Sequence, residues 1–206
     1  THNAHEEDLQ AAYTYILEHK EIEEVILTGG DPLTLGDKSI QNILKALEGI
    51  KHLRLIRIHT RLPVVNPFRL TSELGQFIAS LRKPVWVSSH FNHPVEITDT
   101  AKQFIQAWIN MGIPFLNQSV LLSGVNDSAQ ILKDLFMALI EIKIKPYYLH
   151  QADMVQGTGH LRVTVERGLS ILKALQGELP GYALPHYMLD RPGGIGKIPL
   201  QNQFDI

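Results

Sequence analysis

One pattern recurs along the chain and limits what it can fold into: a short β-branched run, a polar turn, then an amphipathic stretch. The runs predict strands at residues 24–28, 53–60, 85–90, 115–121, 146–151 and 183–190. The stretches between them predict helices at 6–19, 38–47, 72–81, 98–111, 128–142 and 165–175. Strand–helix alternation at this spacing implies βαβ crossovers and a parallel sheet. Strand cores such as VIL, LIRI and VWV are nearly continuous in apolar residues, as strands covered on both faces require. Thr71-Ser72-Glu73 and Thr98-Asp99 put N-cap chemistry where two helices should open. Six such units fit a partial or six-stranded (β/α) barrel, or an open doubly wound sheet. No linker, low-complexity tract or break in composition divides residues 1–206, so one domain is expected. The first predicted element is a helix, whereas a βα barrel opens on a strand, so a further strand is expected upstream.

Composition narrows the function classes. Hydrophobic residues make up 44% of the chain and the formal net charge is -2, which excludes a disordered polymer. Lys and Arg number 19 against 21 Asp and Glu, so the basic excess of a nucleic-acid binder is missing. No apolar run approaches the ~20 residues of a membrane span, and no charged-then-apolar leader opens the chain, so no membrane or secreted role is expected. There is no cysteine, which excludes disulfides, thiolate catalysis and cysteine-ligated metal within these residues.

In parallel α/β proteins the chemistry gathers at the carboxyl ends of the strands. Those ends here read Thr28-Gly29-Gly30-Asp31, His59-Thr60-Arg61, Ser89-His90-Phe91-Asn92-His93, Asn117-Gln118-Ser119, His150-Gln151-Ala152-Asp153 and Asp190-Arg191 followed by Gly193-Gly194-Ile195-Gly196-Lys197. Gly29 and Gly30 either let the backbone approach a carboxylate or phosphate or form an ordinary tight turn before Pro32. His59, His90, His93 and His150 either converge on a zinc or iron ion or hydrogen-bond their own loops. Gln118 ends an apolar strand, and its amide must pin a loop or hold a ligand. Asp153 and Asp190 would face one mouth, where two carboxylates call for a cation or a shared proton unless both are simply solvated. Lys197 stands on a glycine-rich segment that fails the phosphate-loop spacing, because Ile198 follows it. An imine with an aldehyde cofactor is one use for such a lysine; a solvated surface position is the other.

Taken in order, TGGDP, RIHTRLPVV, HFNHPVEIT, NQSVLLSGVND, PYYLHQAD with Gly157 and His160, and LDRPGGIGK resemble the lysine 2,3-aminomutase family of radical S-adenosylmethionine (SAM) enzymes over almost the whole chain. The resemblance implies an α/β fold, a partial (β/α)6 barrel of parallel strands with outer helices. It implies a 1,2-amino shift that converts L-lysine to β-lysine, begun when a reduced 4Fe–4S cluster splits SAM and assisted by pyridoxal 5′-phosphate (PLP). By the same resemblance Lys197 carries PLP as an imine and is the catalytic residue. Asp153 and Asp190 grip the distal ammonium of the substrate, and Gly29, Gly30, Asp31, His90 and Gln118 line the SAM site. An electron-donor protein, an assembly of identical subunits and a cytoplasmic setting come with it, and no nucleic acid or membrane partner does.

The chain also departs from the family pattern. Members hold their cluster through CxxxCxxC, and the family's basic residues for the substrate carboxylate and its upstream PLP-phosphate ligands have no counterpart in this chain. The expectation is therefore a C-terminal portion of a longer enzyme that does not cleave SAM alone. Ser128 stands where some members have a zinc-binding cysteine, and His150 where the free-lysine enzyme has an aromatic. Both features resemble the branch that makes β-lysine for elongation factor P, whereas Asp190 in LDRPGGIGK resembles the free-lysine branch. Two other readings stay open: a metal-dependent barrel hydrolase or isomerase built on the four histidines, and a non-catalytic remnant that binds PLP or a partner.

Overall fold

Seven strands stand among the residues that the computed structural model describes, 6–191 and 196–201, one more than the sequence pattern implies. Contacts divide the chain into two units, residues 1–89 with 103–115, and residues 90–102 with 116–206.

In the first unit α1 (Glu6–Glu18) leads into β1 (Glu24–Leu27), α2 (Asp37–Glu48), β2 (Leu55–Thr60), the one-turn α3 (Leu62–Val65), α4 (Ser72–Ser80) and β3 (Val85–Ser89). β1 pairs parallel with β2, and β2 with β3, so that Leu27 lies opposite Ile58 and Thr60 opposite Ser89. Side chains alternate across β2, burying Ile56, Ile58 and Thr60. α2 answers with Ile40, Leu44 and Leu47, spaced four and three residues apart on one buried stripe. Each fully buried aliphatic side chain of this kind contributes roughly 1.5–3 kcal/mol. The expected caps form: Thr71 Oγ1 accepts from Leu74 N at 3.1 Å at the start of α4, and, among the residues of the second unit, Thr98 Oγ1 accepts from Ala101 N at 3.1 Å at the start of α5 (Asp99–Asn110).

The second unit carries β4 (Phe115–Leu121), α6 (Ala129–Glu141), β5 (Ile144–Gln151), α7 (Val165–Leu175), β6 (His186–Arg191) and β7 (Gly196–Pro199). β5 and β6 run parallel with His150 opposite Met188. β6 and β7 run antiparallel, which sets Asp190 directly opposite Lys197. Gly196 and Lys197 belong to a strand, because Ile198 and Pro199 pair back onto Leu189 and Met188; residues 193–195 lie outside the described residues. A buried pin ties β5, β6 and the segment leading into α7 together. The Tyr187 hydroxyl donates to Gln151 Oε1, and Gln151 Nε2 donates to Val163 O at 2.7 Å. Gly168 on α7 is glycine for space, since a Cβ there would sit 2.2 Å from the Tyr187 oxygen. This pin ends two residues before Asp153 and begins three before Asp190.

Candidate functional site

A cavity of about 630 Å3 opens at the carboxyl ends of β5 and β6. Residues 152–155 form one wall and 189–191 the other, so Asp153 and Asp190 line the same space. Lys197, reaching across from β7, donates from Nζ to Asp190 Oδ2 at 2.6 Å. Its ammonium also stands 5.8 Å from the centre of the Tyr148 ring. The Asp190 side chain is 44% exposed and that of Lys197 34%, so this pair is reachable from solvent.

Behind that pair lies His150, whose side chain is 13% exposed. Its Nε2 meets Gln118 Oε1 at 2.9 Å. An amide oxygen only accepts, so Nε2 carries the proton and Nδ1 keeps its lone pair. Nδ1 faces Asp190 Oδ2 at 3.9 Å. Burial, with the positive charge of Lys197 next, lowers the His150 pKa from 6.5 to about 4, so the ring is neutral near pH 7. Tyr148 lies edge-on to it with ring centres 5.5 Å apart. Sequence reasoning did not single out Tyr148, and only its place two residues before His150 on an alternating strand could have signalled it.

His90 and Gln118 sit on a loop and a strand held by buried amides. Asn117 Oδ1 accepts from Phe91 N at 2.8 Å, and Asn117 Nδ2 donates to Phe91 O at 3.1 Å. Ser119 Oγ donates to the same carbonyl at 2.7 Å. Asn92 Oδ1 accepts from Val120 N, while Asn126 Nδ2 donates to Asn92 O, both at 2.8 Å. The HFNHP and NQSVLLSGVND runs thus have a structural use: their polar residues replace backbone partners that a loop would otherwise leave unmet. His93 is drawn into the same work, its Nδ1 accepting from Val95 N at 3.3 Å to cap a short turn. Among the described residues no three His, Asp or Glu side chains are grouped so as to hold a metal ion.

The first unit supplies a different kind of strand end. Gly29 and Gly30 take φ of 84° and 58° in succession, left-handed values that favour glycine, and both are exposed. Asp31 then turns back into the protein. Its carboxylate accepts from Thr60 Oγ1 at 2.8 Å, Arg61 N at 2.6 Å and Leu33 N at 3.1 Å. Asp31 thus ties the turn after β1 to the end of β2, leaving the glycine backbone as the open surface of the segment.

No protein-family model matches the chain. Curated relatives do. It is 42% identical to the L-lysine 2,3-aminomutase of Methanococcus maripaludis over 202 residues, 98% of this chain and 46% of that protein. It is 41% identical to the glutamate 2,3-aminomutase of Clostridioides difficile over 95% of this chain and 46% of that one. Other relatives named for lysine range from 39% to 46% identity. The chain spans about half the length of the relatives it matches. Among solved structures, SuiB of Streptococcus suis bound to S-adenosylmethionine superposes with a TM-score of 0.65 at 12% identity, covering 93% of this chain and 45% of that one. A radical SAM methyltransferase from Sphaerobacter thermophilus does so at 0.65 and 15% identity, covering 90% and 56%. The fold is the expected one, the largely parallel partial barrel of the radical SAM enzymes. Over nearly its whole length the chain is homologous to about half of proteins named L-lysine 2,3-aminomutase and glutamate 2,3-aminomutase, and its fold is that of the radical SAM structures.

Proposed function

We propose that these residues form the PLP- and substrate-binding part of a radical SAM aminomutase that converts L-lysine to β-lysine. One observation carries this reading: Asp190 and Asp153 line one cavity, and Lys197 reaches Asp190 from the neighbouring strand. Relatives named for lysine and for glutamate are nearly equally similar, so identity alone does not select the substrate. Charge does. Two carboxylates around one cavity stabilise a cationic side chain and repel an anionic one. Held there, the distal ammonium fixes the position of the substrate carbons, and positioning of this kind lowers a reaction barrier without any covalent role for the acids. The same acids suit β-lysine formation whether or not the product serves elongation factor P.

The residues present fit PLP: Lys197 offers a primary amine on a strand at the edge of the cavity, and Tyr148 supplies a neighbouring aromatic face. When bound, PLP supplies a π-system that stabilises an unpaired electron beside nitrogen during the amino shift. In the first unit the exposed Gly29 and Gly30 backbone before Asp31 fits the amine and carboxylate of SAM; in the second, the family resemblance proposes His90 and Gln118 as SAM-binding residues. A 4Fe–4S cluster finds no thiolate ligand in these 206 residues, so its ligands are proposed to belong to sequence beyond them. An electron-donor protein, a multimer of identical subunits and a cytoplasmic setting are parts of the same proposal. Among the described residues no helix is long and apolar enough to cross a membrane.

The test is trapping. The full-length protein, loaded with PLP and reduced with borohydride, should carry a pyridoxyl group on Lys197 when its peptides are mapped. Lys197→Ala should lose both the label and the visible absorbance. A label on another lysine, or an unchanged spectrum in the variant, would remove Lys197 from the site.

A further inference from the structure

The ion pair between Lys197 and Asp190 differs from an ordinary cross-strand contact in what surrounds it. Asp190 Oδ2 receives the ammonium at 2.6 Å, the Tyr148 ring stands 5.8 Å from the same nitrogen, and the unprotonated Nδ1 of His150 faces that carboxylate at 3.9 Å. A carboxylate, an aromatic face and an imidazole lone pair are three groups that favour a primary ammonium. Two acceptors facing each other, Nδ1 and Oδ2, repel unless a cation stands beside them. The seat is therefore built for an R–NH3+ group, and here that group is the chain's own. Antiparallel register sets Lys197 directly opposite Asp190, so the tethered ammonium has an effective concentration in the mM range or above.

We propose that Lys197 is the built-in occupant of a seat for primary ammonium groups formed by Asp190, Tyr148 and His150, and that an external amine enters only when the Lys197 nitrogen is engaged elsewhere. The inference rests on the reading of Asp190 as an ammonium receptor and adds an order to it. Engagement of Lys197 comes first, and recognition of the substrate's distal ammonium follows. A free amine at low concentration then does not bind ahead of the cofactor.

The probe is 1,5-diaminopentane, which carries the distal ammonium of lysine without its carboxylate. Its binding is measured by calorimetry to the full-length protein freed of carbonyl compounds, as wild type, Lys197→Met, Lys197→Arg, Asp190→Asn and the double variant Lys197→Met/Asp190→Asn. Lys197→Met should bind about tenfold tighter than wild type or better, the size of one charge-assisted hydrogen bond regained by the ligand. Lys197→Arg keeps a cation on Asp190 and should bind no tighter than wild type. Adding Asp190→Asn to Lys197→Met should abolish the gain. If Asp190→Asn weakens binding while Lys197→Met leaves it unchanged, Asp190 is a receptor but Lys197 does not occupy its seat, and the inference is overturned. If neither variant alters binding, the receptor reading fails and the inference falls with it.

Discussion

Asp31 and Asp190 both follow the pattern of an acid at a strand end, yet the protein uses them in opposite ways. Asp31 is met by a hydroxyl and two backbone N–H groups, donors that come from fixed neighbours and do not leave. Asp190 is met by one flexible lysine, on the wall of an open cavity. A carboxylate satisfied by backbone donors is part of the framework. A carboxylate satisfied by a side-chain cation is exchangeable, because another ammonium can replace that cation at similar energy. The contrast separates an acid that ties chain segments together from an acid that can exchange its partner.

The comparison breaks most visibly at Lys197. On the proposed reading, Lys197→Ala should lower turnover of L-lysine by the full enzyme by about 10^3-fold or more, the scale seen on losing a covalent catalytic group. Its denaturation midpoint should stay near that of wild type, because an exposed ion pair is worth at most about 1 kcal/mol. Comparable loss in both measurements would put Lys197 in the framework with Asp31.

Asp31 should behave in reverse. Asp31→Ala strands the Thr60 hydroxyl and two N–H groups, and urea unfolding should register a loss of about 3 kcal/mol. Asp190→Asn should cost under about 1 kcal/mol in the same experiment, given its exposure. Equal losses would erase the distinction between the two acids.

A smaller effect reads the ring behind Asp190. The His150 pKa is lowered from 6.5 to about 4, so between those values an unfolded chain holds the proton that the folded chain refuses. Stability contributed by the neutral ring is complete above pH 6.5 and is lost as pH falls towards 4, by about 2 kcal/mol after allowance for partial exposure. Chemical denaturation at several pH values should show that slope in wild type and lack it in His150→Gln. An identical slope in the variant would assign it to other groups.

The barrel was legible because each parallel strand is a short apolar run with a turn and an amphipathic helix after it, and that pattern follows directly from burial on both faces. The short helix Leu62–Val65 and strand β7 were not legible. Leu-Pro-Val-Val has no room for a helical period, and Gly-Lys-Ile-Pro carries one inward apolar residue on an edge, held by register rather than by its own pattern. At the site, Asp153, Asp190 and Lys197 could be named from their places at strand ends, although their assigned roles came from family resemblance. Sequence could not reveal that Asn92, Asn117 and Asn126 spend their amides on backbone groups, since a buried amide reads the same whether its partner is a loop or a ligand. Nor could it tell that Asp31 accepts from Thr60, Arg61 and Leu33.

Replacing the distal ammonium of the substrate by hydrogen tests the central claim most directly. L-Lysine and L-norleucine differ only in that group, and both can be offered to the full enzyme with SAM, PLP and a reductant. A hydrogen bond to a charged partner is worth about 1.5–3 kcal/mol, so kcat/KM should fall roughly 10- to 150-fold for norleucine. Asp190→Asn should narrow that gap. Equal kcat/KM for the two amino acids in the wild-type enzyme would contradict the account.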